Sequence, residues 1–240
     1  MAYDRLEADA VLDTARRLQQ RILARFPTRN LGKVADQLVV VSTDLEQVAA
    51  RKPAIRALRV VSLALIGILV VIAAVSLVAV IVELIENPAD AINLMSTMSN
   101  VISNLVYAGL AVIFLWVLPS HLERSRLLGE LHRLRSLAHV IDMHQLTKDP
   151  ERFADAYHPT PHSVNVGLTA IDMATYLDYC SELLSLVAKT AAVYAERSTD
   201  PAVLATISDI ENLTSGMARK IWQKLSLLPG IGVGPATAAG

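Results

Sequence analysis

Residues 60–82 read VVSLALIGILVVIAAVSLVAVIV, 23 positions without a charge between Arg59 and Glu83. As a helix this run extends about 34 Å at 1.5 Å per residue, enough to cross the hydrocarbon of a bilayer with slight tilt. A second uncharged run follows Asp90, most apolar over residues 101–118, VISNLVYAGLAVIFLWVL, and closed by Pro119, His121 and Glu123. Spans are expected at about 60–82 and 98–118. Asn87-Pro88 lies between them, and the residue before a proline avoids the helical region, so the chain turns there and the spans form a two-span transmembrane hairpin.

Cations set the expected orientation. Arg51, Lys52, Arg56 and Arg59 precede the first span; Arg124, Arg126, Arg133 and Arg135 follow the second; the intervening loop has Glu83, Glu86 and Asp90 but no Lys or Arg. This positive-inside pattern predicts both termini on the cytoplasmic side of an inner membrane. The basic residues, Arg51, Lys52, Arg56, Arg59, Arg124 and Arg126 among them, would lie at headgroup level. No signal peptide is expected, because the first 50 residues are charged throughout.

The 240-residue composition agrees: 53% hydrophobic, 19% charged, 5% aromatic, net charge -1 and one cysteine, with a mean hydropathy of +0.41. Disorder, a disulfide scaffold and a collagen-like fibre are excluded. Near-neutral charge argues against nucleic acid as a partner. Sixteen Arg against six Lys fit a GC-rich bacterial source. By segment, residues 1–59 hold 11 basic and 7 acidic side chains, 60–119 none and 3, and 120–240 hold 11 and 13, so the flanking parts are amply soluble.

Those flanks carry helical periodicity and no strand signal. Apolar positions recur at three and four in Leu31, Val34, Leu38, Val41, Leu45, Val48; in Leu127, Leu131, Leu134, Ala138, Ile141, continuing the second span as a stalk; in Met173, Leu177, Cys180, Leu184, Val187, Ala191, Tyr194; and in Val203, Ile207, Ile210, Thr214, Met217, Ile221. Thr169-Ala-Ile-Asp172 resembles a capping box with Asp in the Glu position, and Asp149-Pro150 and Asp200-Pro201 place a capping acid before a first-turn proline. Helices are predicted near 4–26, 28–51, 54–84, 92–146, 150–157, 170–197 and 201–228, with a loop at 158–168. The resulting all-α organisation is an N-terminal cytoplasmic helical pair (1–53), the hairpin (54–119), a cytoplasmic stalk and coiled-coil-like helical bundle (120–228) and a disordered tail (229–240).

Three groups of residues are candidates for function. All six histidines fall within residues 121–162. His132, Arg135, His139 and Asp142 make a stripe beside the leucine seam, with His144 nearby, reading as a buried polar network that fixes helix register. The alternative is a metal site on His139, Asp142 and His144, which geometry weakens: His139 and Asp142 share a helix face, whereas His144 lies about 140° from His139. A ligand from another helix, such as His158 or Glu182, would be needed. No cofactor is expected beyond that metal.

Asn93, Ser96, Asn100, Ser103, Asn104 and Tyr107 form a polar face entering the second span from the outer side. It reads either as hydrogen-bonding across the hairpin or between subunits, or as a pore wall with Glu83, Glu86 and Asp90 as an acidic outer rim. On the last helix, Arg219, Lys220, Trp222 and Lys224 read as a basic end matched to the helix dipole and to a membrane surface.

Enzymatic motifs are missing: no P-loop, dinucleotide fingerprint, nucleophile elbow or zinc-protease helix occurs, and Cys180 sits in a heptad seam. The sequence reads as an integral membrane protein, non-enzymatic and homo-oligomeric, serving interaction or assembly with a protein partner on the cytoplasmic side. An oligomeric ion channel and a metal-dependent membrane enzyme are the competing readings.

Overall fold

A computed structural model describes residues 6–50, 52–86, 91–164, 166–196 and 198–229, without the side chains of 45–50, 52–56, 83, 84, 86, 91–95 and 97. Six α-helices run in order: α1 Ala8–Arg25, α2 Leu31–Ala50, α3 Lys52–Glu86, α4 Ala91–Leu146, α5 Ala170–Ala195 and α6 Pro201–Ser226. No strand occurs among the described residues. The chain divides into two compact units, one of Met1–Ala49 with Leu127–Gly240, the other of Ala50–Arg126. The predicted tail falls almost wholly outside the described residues.

Local chemistry sets the helix ends. Thr169 Oγ1 accepts from the Asp172 backbone N–H at 3.1 Å and donates to Asp172 Oδ2 at 2.8 Å, so two groups at the start of α5 are satisfied reciprocally. Asp200 Oδ1 accepts from Ala202 and Val203 N–H at 2.9 and 3.2 Å, with Pro201 opening α6. Asp149 caps in the same way, but the helix expected over 150–157 is a single 3₁₀ turn, Pro150–Phe153. Ala154 leaves the helical region at ψ 141°, and the prolines that follow at 159 and 161 supply no further donors.

In the first unit one contiguous core draws on five helices. α1 contributes Val11, Ala15, Leu18 and Ile22; α2 contributes Leu31, Val34, Leu38 and Val41; α4 contributes Leu127, Leu131, Leu134, Ala138 and Ile141; α6 contributes Val203, Ile207, Ile210, Met217 and Ile221. Each is a stripe of three and four, as an amphipathic helix requires. α5 differs. Thirteen of its side chains are buried, among them Tyr176, Leu183, Leu186 and Val193, outside the expected seam. A helix buried on more than one side is the centre of the bundle. Phe26 packs edge-on against Tyr176 and Tyr179, with centroids 5.4 and 6.1 Å apart.

The second unit has the opposite character. The most apolar 18-residue window of α3, within Ala57–Val82, has a mean hydropathy of 3.3, that of α4 has 2.2, and neither contains a buried residue. Both helices are long and apolar enough to cross a membrane. Pro119 lies inside α4 without ending it; its missing N–H frees one backbone carbonyl.

Candidate functional site

Of the predicted stripe on α4, His132, Arg135 and His139 are exposed. The structure does not bring them into a buried network, because the bundle turns the adjacent leucines inward and leaves this stripe to solvent. Asp142 and His144 are half-buried and take separate partners. Asp142 Oδ1 accepts from Gln145 Nε2 at 2.6 Å, while His144 Nδ1 lies 3.3 Å from the Tyr176 hydroxyl. His158 is exposed, and Glu182 is held by Arg21. No group of three His, Cys, Asp or Glu side chains suited to a metal gathers among the described residues.

The polar face within the apolar unit is partly described. Asn93, Glu83, Glu86, Lys52 and Arg56 lie in helices with their side chains outside the described residues, and Arg51 and Asp90 lie outside them altogether. Ser96, Asn100, Ser103, Asn104 and Tyr107 are exposed, as are Arg59, Arg124 and Arg126. Asn104 and Tyr107 also line a cavity of about 460 Å³, together with Ser76, Leu69, Ile72 and Ala73 of α3 and Val101 and Ala108 of α4.

Sequence reasoning missed a cluster of buried polar groups where the end of α4 meets α5 and α6. Lys148 is 8% exposed and Gln145 1% exposed. Lys148 Nζ stands 4.8 Å from the centre of the Tyr176 ring, a cation–π geometry. Lys224 Nζ donates to the carbonyls of Gln145 at 2.9 Å and Lys148 at 3.2 Å. It thereby closes the carboxyl end of α4, where unpaired carbonyls concentrate negative potential. The sequence pattern matches Lys224 to a basic end facing a membrane surface; of that group Arg219, Lys220 and Trp222 are exposed, but half-buried Lys224 turns inward.

Arg29 reaches the same region, Nη2 donating to Val166 O at 2.7 Å and Gly167 O at 3.3 Å. Gly167 has φ +54°, a left-handed conformation that a side chain would strain. Burial pushes both lysines below the ordinary lysine range; for Lys148 the Arg29, Lys224 and Arg152 charges add to it, whereas nearby Asp149 and Asp142 oppose it for Lys224. Cys180, fully buried beneath them, is pushed by burial up to about 12. It is an inert core thiol. The signal that would have marked this cluster was Lys148 just beyond an apolar helix end, a position usually assigned to solvent.

Fold and polar groups together define an all-helical protein with two helices apolar enough to span a membrane, joined in sequence to a helical bundle with a cationic inner edge. No protein-family model matches the chain, and no curated protein or solved structure shows significant similarity to it.

Proposed function

We propose that the chain is an integral inner-membrane assembly protein, non-enzymatic and self-associating, with the lipid bilayer as its first partner. In this reading α3 and the apolar part of α4 form a two-span hairpin, and the helical bundle and both termini are cytoplasmic. The observation that carries it is the contrast between the two units: five helical segments share one closed core, while two apolar windows bury nothing. Such surface in water is unstable by roughly 25 cal/mol per Å², and in a bilayer it is not. The cavity lined from both helices supports their pairing, and the flanking cations support the orientation.

Self-association rests on Asn100 and Asn104. They stand one helical turn apart, exposed, and neither side chain has a hydrogen-bond partner among the described residues. At hydrocarbon depth a carboxamide gains by pairing with another helix, by about 0.6–2 kcal/mol each. A second copy offers the same carboxamides.

Two measurements test this. Single cysteines at positions 90 and 236, in a Cys180→Ser background, should label from opposite sides of sealed vesicles; labelling from one side refutes the hairpin. Native mass spectrometry in mild detergent should give an oligomer that Asn100→Leu/Asn104→Leu dissociates, and a monomeric wild type refutes self-association. The same polar face would line a channel if four or more subunits assemble. Ion flux in liposomes that Asn104→Leu alters would then favour the channel reading over the assembly reading.

A further inference from the structure

Three described cations of the bundle find carboxylates on a second helix: Arg21 with Glu182 at 2.8 Å, Arg25 with Asp172 at 2.8 Å and Arg133 with Asp44 at 3.0 Å. Four do not. Arg29, Lys148, Arg152 and Lys224 share one neighbourhood, close enough for the other three to act on the Lys148 charge, and none forms an ion pair among the described residues. Lys148 and Lys224 are engaged only with neutral oxygens and a ring: Thr147 Oγ1 at 2.9 Å and the Tyr176 face for Lys148, two main-chain carbonyls for Lys224. Such contacts satisfy donors without neutralising charge, and unneutralised buried charge is costly.

Two carboxylates act on Lys224, Asp149 and then Asp142, and none on Lys148; each already accepts another donor: the Glu151 N–H for Asp149, Gln145 Nε2 for Asp142. The four cations outnumber these two acids. Donors are left over as well. The Arg152 Nε–H is buried without an acceptor, Lys148 Nζ uses one of its three protons in a hydrogen bond, and Arg29 bonds through a single nitrogen. Charged donors with protons to spare, in a neighbourhood where cations outnumber acids, fit an anion with several acceptor oxygens.

We propose that Arg29, Lys148, Arg152 and Lys224 form a binding site for a phosphate group. Lys148 just beyond α4 and Lys224 of α6 supply point charges, and Arg29 from the α1–α2 turn and Arg152 from the 3₁₀ turn supply planar donors. Tyr176 floors the site and holds Lys148 in place. The phosphate is carried either on a soluble molecule or on a lipid headgroup, the chemistry recognised being the same.

The test uses the full chain in non-ionic detergent. Thermal unfolding is followed in inorganic phosphate and in chloride of equal ionic strength, and separately in micelles doped with phosphatidic acid or with phosphatidylcholine. Phosphate, or phosphatidic acid, is expected to raise Tm, and the arm that responds identifies the source. Lys148→Gln and Arg152→Gln should each raise the dissociation constant by about tenfold or more, while Arg133→Gln, outside the cluster, leaves it unchanged. Arg152→Gln, half-exposed and on the single 3₁₀ turn, keeps the test decisive where Lys148→Gln fails to fold. No Tm rise in either arm, or an equal rise in Arg152→Gln, overturns the site.

Discussion

Arg21 and Glu182 form a two-pronged ion pair, Nη1 to Oε2 at 2.8 Å and Nη2 to Oε1 at 3.0 Å, across a sequence separation of 161 residues. Arg21 also lies 5.1 Å from the centre of the Tyr179 ring. One turn further along α1, Arg25 pairs with Asp172 at 2.8 Å. The segment before the apolar helices is thus docked on a helix that follows them, and residues 1–49 and 127–240 make one unit.

The pair orients more than it stabilises. Arg21 is 53% and Glu182 34% exposed at the side chain, so solvent screens the attraction and the coupling should be about 0.5–1 kcal/mol. A double-mutant cycle of Arg21→Ala and Glu182→Ala, read by chemical denaturation, should return that value and shrink it in high salt. Coupling above about 2 kcal/mol would mean a drier interface than the exposures indicate.

Removing a cap should cost more than removing that pair's coupling. Thr169→Ala and Asp200→Ala each strip a helix of donors satisfied at 2.9–3.2 Å, and each should destabilise by about 1 kcal/mol. Thr169→Ser, which keeps the oxygen, should lose only a few tenths of that order. Denaturation midpoints compared at constant m-value give the answer.

Cys180 should be silent to thiol reagents while the protein is folded. It is fully buried, and its thiol is held near 12, leaving almost no thiolate at neutral pH. Maleimide labelling at pH 7.5 should appear only above the unfolding transition of the bundle. Rapid labelling of native protein would show that α5 and α6 part readily.

Acid should weaken the bundle through His144. Burial, and then the Lys148 charge, lower its imidazole from the ordinary 6.5. As pH falls, the unfolded chain takes up the proton before the folded one does. Stability is therefore full above 6.5, declines through the window between 6.5 and the lowered folded value, and levels off beneath it. His144→Phe should flatten the Tm profile across that window while shifting its absolute height through the lost Tyr176 contact at 3.3 Å. Parallel profiles for wild type and variant would exclude the histidine as the source.

Much of this architecture is legible in the residues themselves because its causes are local. A run such as 60–82 declares itself by length and hydropathy, and the seam Val203, Ile207, Ile210, Thr214, Met217, Ile221 by its spacing; all six of those side chains are buried. Thr169, Asp149 and Asp200 mark helix starts through contacts two or three residues away. Partnership between distant segments is a different matter. Periodicity says that α5 has an apolar face, but its place at the centre, with Tyr176 and Leu186 buried as well, depends on how many neighbours surround it. Lys148 and Lys224 look like solvated charges in the sequence and become the inner edge of the bundle only when α6 is laid against the end of α4. Helix formation and hydropathy depend on neighbours along the chain, whereas burial of a charge depends on which segments meet in space.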